Sequence, residues 1–446
     1  MSTTHFSALR NSAIAVLILA GLTTAWTPVS AEPPDEAPKG IVETLMAGEV
    51  DLQLLYRFEN VDDDLVPRND ANASTLRAAL GFRTGLWEVI SAYAQMEHVS
   101  QVFVDDYKEG PGPVDAPKAG LFPVVADPPG TELNQAYVRY AGSPYYTVTA
   151  GRQIMTYRDA PFHRHLGTVL WRQNWQTQDG LSLQLKPMKD LDVNYAYSFQ
   201  VNRIFGEDAP SPFNRFDCDC HYVNTQYRGL AHVKLEAFAY LLDIDNAKAN
   251  SHNTYGGRAS GAYPLNEQWK VLYAGEYATQ SDSSDNPLSI DADYYLVEGG
   301  FNVKISNAFI SSLTVKFDYE VLEGSGRPGT AAFNTPLTTG HAYQGWADRF
   351  LTTPIDGIED TYITAVAGIL GGQFIASYHM LDSDNLDYEY GDEFNIQYTH
   401  KVAKYFTLGA KAAVYSADRN ATALARAGGL RNNDVTNFWA WVQFDY

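Results

Sequence analysis

Residues 74–84 alternate between apolar side chains and small or basic ones. Leu76, Leu80 and Phe82 share one parity, and Arg77 and Arg83 share the other. Successive side chains of a β-strand point to opposite faces, so the segment predicts a strand with one apolar face and one basic face. Such a strand fits a soluble sandwich with its apolar face on a core. It also fits a membrane barrel with its apolar face on lipid and its arginines in a wet lumen.

The rest of the chain favours the barrel. The alternation recurs from residue 49 to residue 446 in about eighteen segments of roughly ten residues each, and no long helical period competes with it. The connections alternate in length, with short ones such as 85–86 and 142–144 and long ones such as 99–131 and 323–358. We therefore predict an all-β, transmembrane, antiparallel up-and-down β-barrel with short periplasmic turns and long extracellular loops.

The N-terminal residues predict export. An apolar run at 13–22 is too short to span a bilayer as a helix, and Val29-Ser30-Ala31 has the small residues of a cleavage site. We assign 1–31 to a signal peptide, 32–48 to a periplasmic lead-in and 49–446 to the barrel. The expected location is the bacterial outer membrane.

Composition excludes several function classes. The chain has 29 tyrosines and a formal net charge of −21. Because it is acidic and predicted to be exported, we do not expect it to bind nucleic acid. Cys218 and Cys220 are the only cysteines, and His163 and His165 form the one close histidine pair that could begin a metal site. Neither pair has enough spaced ligands, and Asp62-Asp63-Asp64 lacks the pattern of a calcium loop. We expect no metal, no cofactor and no enzymatic activity.

The last predicted strand ends on an aromatic residue. Phe438, Phe444 and Tyr446 share one face, and the aromatic terminal residue resembles the signal that the barrel assembly machinery recognises. Trp439 and Trp441 fall on the opposite parity. Tryptophan is expected at a lipid interface, so their position predicts a bulge or a shifted register in this strand.

Several short segments resemble the alginate-export outer-membrane family. They are 123–128 (PVVADP), 130–140 (GTELNQAYVRY), 151–153 (GRQ), 201–206 (VNRIFG), 240–243 (YLLD), 254–256 (TYG) and 343–354 (YQGWADRFLTTP). The resemblance implies an eighteen-stranded barrel, in agreement with the alternation. It also implies passage of an anionic uronate polymer through a constriction lined by arginine.

Two groups of residues are candidates for the pore. Guanidinium groups with inward parity suit brief contact with carboxylates, although ladders of opposite charge along the wall explain them equally well. The pore candidates are Arg77, Arg83, Arg139, Arg258 and Lys234, with Arg152 included if a bulge at Gly151 turns it inward. Aromatic residues of the long loops are candidates for narrowing the pore, namely Phe122, Tyr343, Trp346 and Phe350.

The leading hypothesis is a passive outer-membrane channel for an anionic saccharide or polysaccharide. The first alternative is a small-solute porin of weak or cationic selectivity, which the net acidity favours. An outer-membrane hydrolase is the least favoured, because it requires a serine–histidine pair on an accessible face. Expected partners are the anionic saccharide, outer-membrane lipid and lipopolysaccharide, the barrel assembly machinery and periplasmic export proteins.

Overall fold

The structure of the protein is a computed structural model. It describes residues 40–64, 69–111, 118–160, 163–419, 422, 426 and 432–446. The predicted signal peptide (1–31) and the first part of the lead-in (32–39) lie outside the described residues. Among the described residues, no helix has the length and apolar character needed to cross a membrane.

Nineteen strands make up almost all of the regular structure in the described part of the chain. They are β1 (Glu49–Asp63), β2 (Ala71–Arg83), β3 (Ile90–Asp106), β4 (Gly130–Tyr140), β5 (Tyr146–Gln153), β6 (Thr177–Met188), β7 (Leu191–Asn202), β8 (Arg215–Leu230), β9 (Val233–Ile244), β10 (His252–Pro264), β11 (Trp269–Asp282), β12 (Ser289–Lys304), β13 (Ile310–Leu322), β14 (Thr330–Ala331), β15 (Ile358–Ile369), β16 (Gly372–Asp382), β17 (Glu389–Ala403), β18 (Phe406–Ala417) and β19 (Val435–Asp445). One short helix, α1 (Ile41–Met46), precedes β1.

The strands close into a barrel. Each strand pairs antiparallel with its neighbours, except the two-residue β14, which pairs in parallel with β12 and lies in a loop. The remaining eighteen form the wall, and β1 completes it by pairing with β19 from Gln53↔Asp445 to Asp63↔Val435. Closure leaves no unpaired edge, as a barrel in lipid requires. The predicted fold class is confirmed.

The two faces of the wall differ as the alternation predicts. Large apolar side chains such as Leu80, Phe317 and Val442 are exposed on the outer face. Polar and charged side chains such as Arg77, Glu276 and Gln397 are buried on the inner face. The outer surface is therefore suited to lipid and the interior to water and polar groups.

Long connections gather at one end of the barrel and short ones at the other. We call these the loop end and the turn end. The connections 107–129, 154–176 and 323–357 lie at the loop end, whereas 189–190, 231–232 and 370–371 lie at the turn end. Because a residue near one end of a strand is near the same end of the barrel, this sorting fixes the level of every inward side chain.

The predicted irregularity of the last strand is wrong. β19 pairs with both β1 and β18 without a register shift. Trp439 and Trp441 lie on the inner face and are buried, at 0 % and 5 % exposure. They face the lumen because they contact a loop folded inside the barrel, which alternation along the strand cannot reveal.

Removing residues 444–446 should lower the yield of folded barrel. These residues close the barrel, because Tyr446 and Leu52 exchange two backbone hydrogen bonds of 3.0 and 3.1 Å, and Phe444 pairs with Leu54. Their loss leaves backbone groups of β1 unpaired in lipid. The folded fraction can be measured by the heat-dependent shift in gel mobility of the purified protein.

Tyr446→Phe is the matched control, because it keeps the backbone hydrogen bonds and the ring. It should fold like the unmodified protein. A truncated protein that folds with the same yield would show that closure does not depend on these three residues.

Candidate functional site: a constriction inside the barrel

Two long loops fold into the lumen from the loop end. Loop A is 154–176, between β5 and β6, and loop B is 323–357, between β13 and β15. Loop A contributes buried side chains such as Arg164, Trp171 and Arg172, and loop B contributes buried Phe333 and His341. Connections of this length are uncommon unless they serve a function. Their contacts with the wall define a constriction.

Loop A contacts the wall first through two buried carboxylates. Arg158 donates to Glu236 Oε1 on β9 at 2.9 Å and to Glu276 Oε1 on β11 at 2.8 Å. His165 Nε2 lies 3.0 Å from the same Glu276 oxygen, and Arg258 of β10 donates to Glu276 Oε2 at 2.9 Å. The carboxylates are 3 % and 0 % exposed, whereas the Arg258 side chain is 20 % exposed. The lumen therefore meets guanidinium groups whose charges are already paired.

Both loops share a third wall carboxylate. Arg164 Nε of loop A lies 3.1 Å from Glu320 Oε1 on β13, and Gln344 of loop B donates to Oε2 of the same residue. Arg164 also donates to Gln344 Oε1 at 3.1 Å and lies 4.4 Å from the centre of the Tyr343 ring. One buried acid thus holds the two loops together and against the wall.

Trp171 of loop A packs between loop B and the wall of the barrel. It stacks on His341 of loop B at 4.6 Å with nearly parallel planes. The cations Lys411 and Arg57 lie over it, with the Lys411 Nζ 4.1 Å and the Arg57 Cζ 4.8 Å from the ring centre. Two further rings pack edge-on against it at 5.7 Å, those of Trp439 and Trp441. Trp171 therefore joins loop B to the seam where β18, β19 and β1 meet.

A network of charges surrounds this ring. Arg172 donates to Glu59 Oε2 of β1 at 3.1 Å and to Asp348 Oδ2 of loop B at 3.0 Å. Arg57 of β1 donates to Asp127, which also accepts from the backbone N–H of Gln173 at 2.8 Å. Both arginines here face carboxylates, so their charges are paired.

Buried histidines of the loops are held in their neutral form. Burial lowers the pKa of His163 to about 4, and it lowers the pKa of His341 to about 3 although Asp348 opposes this. Nε2 of neutral His341 accepts a hydrogen bond from Lys411 Nζ at 2.5 Å, and Nδ1 lies 2.7 Å from Asp348 Oδ1. The constriction therefore gains no histidine charge near neutral pH.

Loop B also contacts the wall through its backbone. The N–H groups of Trp346 and Ala347 donate to Glu393 Oε1 on β17, the latter at 2.9 Å. Gly345 precedes them with a φ of +85°, and a Cβ there would overlap the Glu393 carboxylate. Only glycine permits this approach at little cost.

The predicted pore arginines have different surroundings. Arg77 is 2 % exposed, donates twice to Glu97 Oε2 at 2.8 and 3.0 Å, and lies over the Trp175 ring at 4.1 Å. Arg83 lies over the Tyr93 ring near the turn end at 5.0 Å. Arg139 is half-buried, and its Nε has no hydrogen-bond partner among the described residues. The structure does not gather these arginines into one cluster.

Two further candidates lie on opposite faces. Lys234 is half-buried on the inner face of β9, near the turn end. Arg152 is on the outer face with Val148 and Ala150, where it forms a bidentate pair with Asp179 at 2.7 and 2.8 Å. The pairing of β5 with β4 and β6 has no shift at Gly151, so no bulge turns Arg152 inward. The prediction that Arg152 lines the pore is therefore wrong.

The aromatic loop candidates also separate. Tyr343 faces Arg164, and the Trp346 ring lies 4.0 Å from Lys411 Nζ, so both belong to the constriction. Phe350 packs against Tyr390 of β17, with ring centres 5.2 Å apart. Phe122 is half-buried in the connection between β3 and β4.

The loop residues that contact the wall most closely are not among those predicted from the sequence. They are Arg158, Arg164, Trp171, Arg172 and His341. The run Trp171-Arg172-Gln173-Asn174-Trp175 is the one available signal, because two tryptophans beside an arginine are unusual in a solvated loop.

The alternative metal sites do not assemble. Within the described residues, no three His, Cys, Asp or Glu side chains are grouped to hold a metal ion. His163 Nδ1 lies 3.3 Å from Thr339 Oγ1, whereas His165 contacts Glu276. Cys218 and Cys220 are buried as free thiols.

No protein-family model matches the chain, and no curated protein matches it. Solved structures do resemble it. OccAB2 of Acinetobacter baumannii has 15 % identity and a TM-score of 0.65, covering 90 % of this chain and 99 % of its own. OccAB4 of the same organism has 12 % identity and a TM-score of 0.63, with coverages of 93 % and 99 %. OpdK of Pseudomonas aeruginosa, determined with vanillate, has 11 % identity and a TM-score of 0.64, with coverages of 90 % and 99 %. The TM-scores and coverages show a shared fold, and at these identities they show the fold alone.

The prediction that the chain belongs with the alginate-export family is wrong. The structural neighbours are Occ and Opd barrels, and the likeness extends over nearly the whole of each. The short sequence segments that carried the resemblance are therefore not evidence for that family.

Trp171→Ala should increase single-channel conductance. The substitution removes the ring that joins loop A, loop B and the β18–β19–β1 seam, and loss of a buried tryptophan costs about 3–5 kcal/mol. The loops should then leave the lumen more often. Conductance of the purified barrel in planar bilayers measures the effect.

Trp269→Ala is the control, because Trp269 begins β11 at the turn end and is 38 % exposed. Its conductance should equal that of the unmodified channel. An unchanged conductance for Trp171→Ala would show that this ring does not hold the constriction.

Proposed function

We propose that this protein is an outer-membrane channel for small solutes. The observation that carries the proposal is that both loops occupy the lumen and bind buried wall carboxylates, loop A at Glu276 and Glu320 and loop B at Glu393. A polymer could pass through the lumen only if both loops moved out of it. Breaking a buried ion pair costs several kcal/mol, so withdrawal of the loops is disfavoured.

The outer-membrane location follows from the same architecture. A closed barrel with an apolar outer face and a polar interior is the form in which strands cross a bilayer. The Occ and Opd neighbours support this, since they are porin barrels of Gram-negative bacteria. The likeness also supports a channel rather than an enzyme as the main activity. OpdK was determined with vanillate, a small aromatic carboxylate, which is an example of the solute size we propose.

The constriction supports weak ion selectivity. Arg57, Arg172 and Arg258 each face a carboxylate within the lumen. A permeating ion responds mainly to net charge near the narrowest point, and paired charges largely cancel there. This favours a weakly selective porin over an arginine-lined anion channel.

Liposome swelling tests the size limit. Vesicles that contain the purified barrel should swell rapidly in monosaccharides or small monocarboxylates. They should swell far more slowly in uronate oligomers, because the docked loops obstruct the lumen. Vesicles with Trp171→Ala show whether the same loops set the limit. Equal swelling rates in monomers and in long oligomers would refute the proposed function.

Arg139→Ala should shift the reversal potential toward cations. In the described part of the chain Arg139 forms no ion pair, so its charge remains available to a permeating ion, with an energy on the order of 1 kcal/mol or less in a hydrated pore. The control is the neutral pair Arg77→Met with Glu97→Gln, which removes one charge of each sign. The control should leave the reversal potential unchanged. An equal shift in both variants would contradict the assignment.

A further inference from the structure

Three side chains on β15 and β16 form a hydrogen-bonded chain on the inner wall. Ser377 and His379 are two residues apart on β16 and therefore share its inner face. Ser377 Oγ lies 3.1 Å from His379 Nε2. His379 Nδ1 lies 2.9 Å from Oδ2 of Asp360 on β15. The order is hydroxyl, imidazole, carboxylate.

The surroundings fix the imidazole. Because Asp360 is fully buried and accepts hydrogen bonds, the Nδ1 proton is directed at it, which leaves the Nε2 lone pair for the Ser377 O–H. The Tyr362 ring stacks on the imidazole at 4.7 Å and limits its rotation. A nucleophile, a base and an orienting acid in this geometry are the elements of a reactive serine.

On β15 and β16, the side chains of the inner wall become more exposed from the carboxylate toward the hydroxyl. β16 runs from the turn end to the loop end, so Ser377 is nearer the turn end than His379. Asp360 pairs with Leu381, which is two residues further toward the loop end than His379. Thr364, which pairs with Ser377, is half-exposed, and so is Ile375 below it. Ser377 itself is 6 % exposed, so a small reagent is the appropriate probe.

Two amide side chains on β17 beside Ser377 have polar atoms without a hydrogen-bond partner among the described residues. Asn395 Nδ2 lies 3.3 Å from Ser377 Oγ, while Asn395 Oδ1 has no hydrogen-bond partner among the described residues. Gln397 lies two residues from Asn395 toward the turn end and is 1 % exposed. Its Nε2 and Oε1 have no hydrogen-bond partner among the described residues. Unpaired buried polar groups cost about 1–3 kcal/mol each, so these groups suit a polar ligand beside the hydroxyl. Their N–H groups can stabilise an oxyanion.

We propose that Ser377, His379 and Asp360 form a reactive serine site in the lumen that takes small neutral carboxylic esters. The Ser377 Oγ–H proton passes to His379 Nε2 as Oγ bonds to the acyl carbon. The acyl–alkoxy bond then breaks, and the leaving alkoxide takes the proton from His379. A water molecule next attacks the acyl group, giving its proton to His379, and the Oγ–acyl bond breaks with return of that proton to Ser377. This activity goes beyond the channel and does not rest on it.

Diisopropyl fluorophosphate tests the site, because it is small and reacts with activated serines. The purified full-length barrel is treated with the reagent, and the modified residue is located by mass spectrometry of its peptides. We expect one adduct, at Ser377, and none in Ser377→Ala. His379→Ala should react at least about 100-fold more slowly, since general-base assistance is lost. Added imidazole should restore part of that rate.

Ser182→Ala is the matched control. Ser182 faces the lumen from β6 and donates to Gln153 Oε1 at 2.7 Å without a histidine partner among the described residues. Its removal should leave the Ser377 adduct unchanged. The gel-mobility assay confirms that each variant is folded.

Three outcomes would overturn the proposal. One is the absence of an adduct at Ser377 in folded protein. Another is equal labelling of Ser377 and Ser182, which shows general lumen reactivity. The third is an unchanged labelling rate in His379→Ala, which shows that the hydrogen-bonded chain only stabilises the wall.

Discussion

The constriction depends on the cost of burying a carboxylate. Glu236, Glu276 and Glu320 lie on the inner wall with almost no exposure, and an uncompensated charge in such a place is unstable. Arg158 and Arg164 of loop A provide the compensating charges. The loop is held in the lumen because the buried wall acids pair with its cations. Loss of loop A would leave Glu236 and Glu320 buried without their arginine partners, which is unfavourable.

This dependence explains which features could be predicted from the sequence. A strand repeats its environment every second residue, so the apolar outer face, the closure of the barrel and the sorting of long and short connections all follow from local alternation. Loop A has no such repeat. Its contacts join Arg158 to Glu276 and Trp171 to Lys411, and these pairs are far apart in the chain. Single-residue parity therefore placed Arg77 correctly on the inner face but gave no indication that Glu97 neutralises it.

The exceptions on the wall have the same origin. Trp439 and Trp441 face inward, against the usual place of tryptophan in a membrane barrel, because Trp171 packs against them. Arg152 faces outward with Val148 and Ala150, and Asp179 on the next strand pairs with it there. In each case a tertiary partner determines the environment. The short segments that suggested another family fail for a related reason, since brief matches record local composition and not how the loops fill the barrel.

The position of Trp171 has a consequence for the order of assembly. Its partners Lys411, Trp439 and Trp441 belong to the last two strands, and Arg57 belongs to the first. The site that receives the ring therefore does not exist until the two ends of the chain meet. Contacts between distant parts of a chain form late, because the intervening loop must first be closed. A partly assembled barrel would then be a wide opening in the membrane, and sealing the last seam would also narrow the pore.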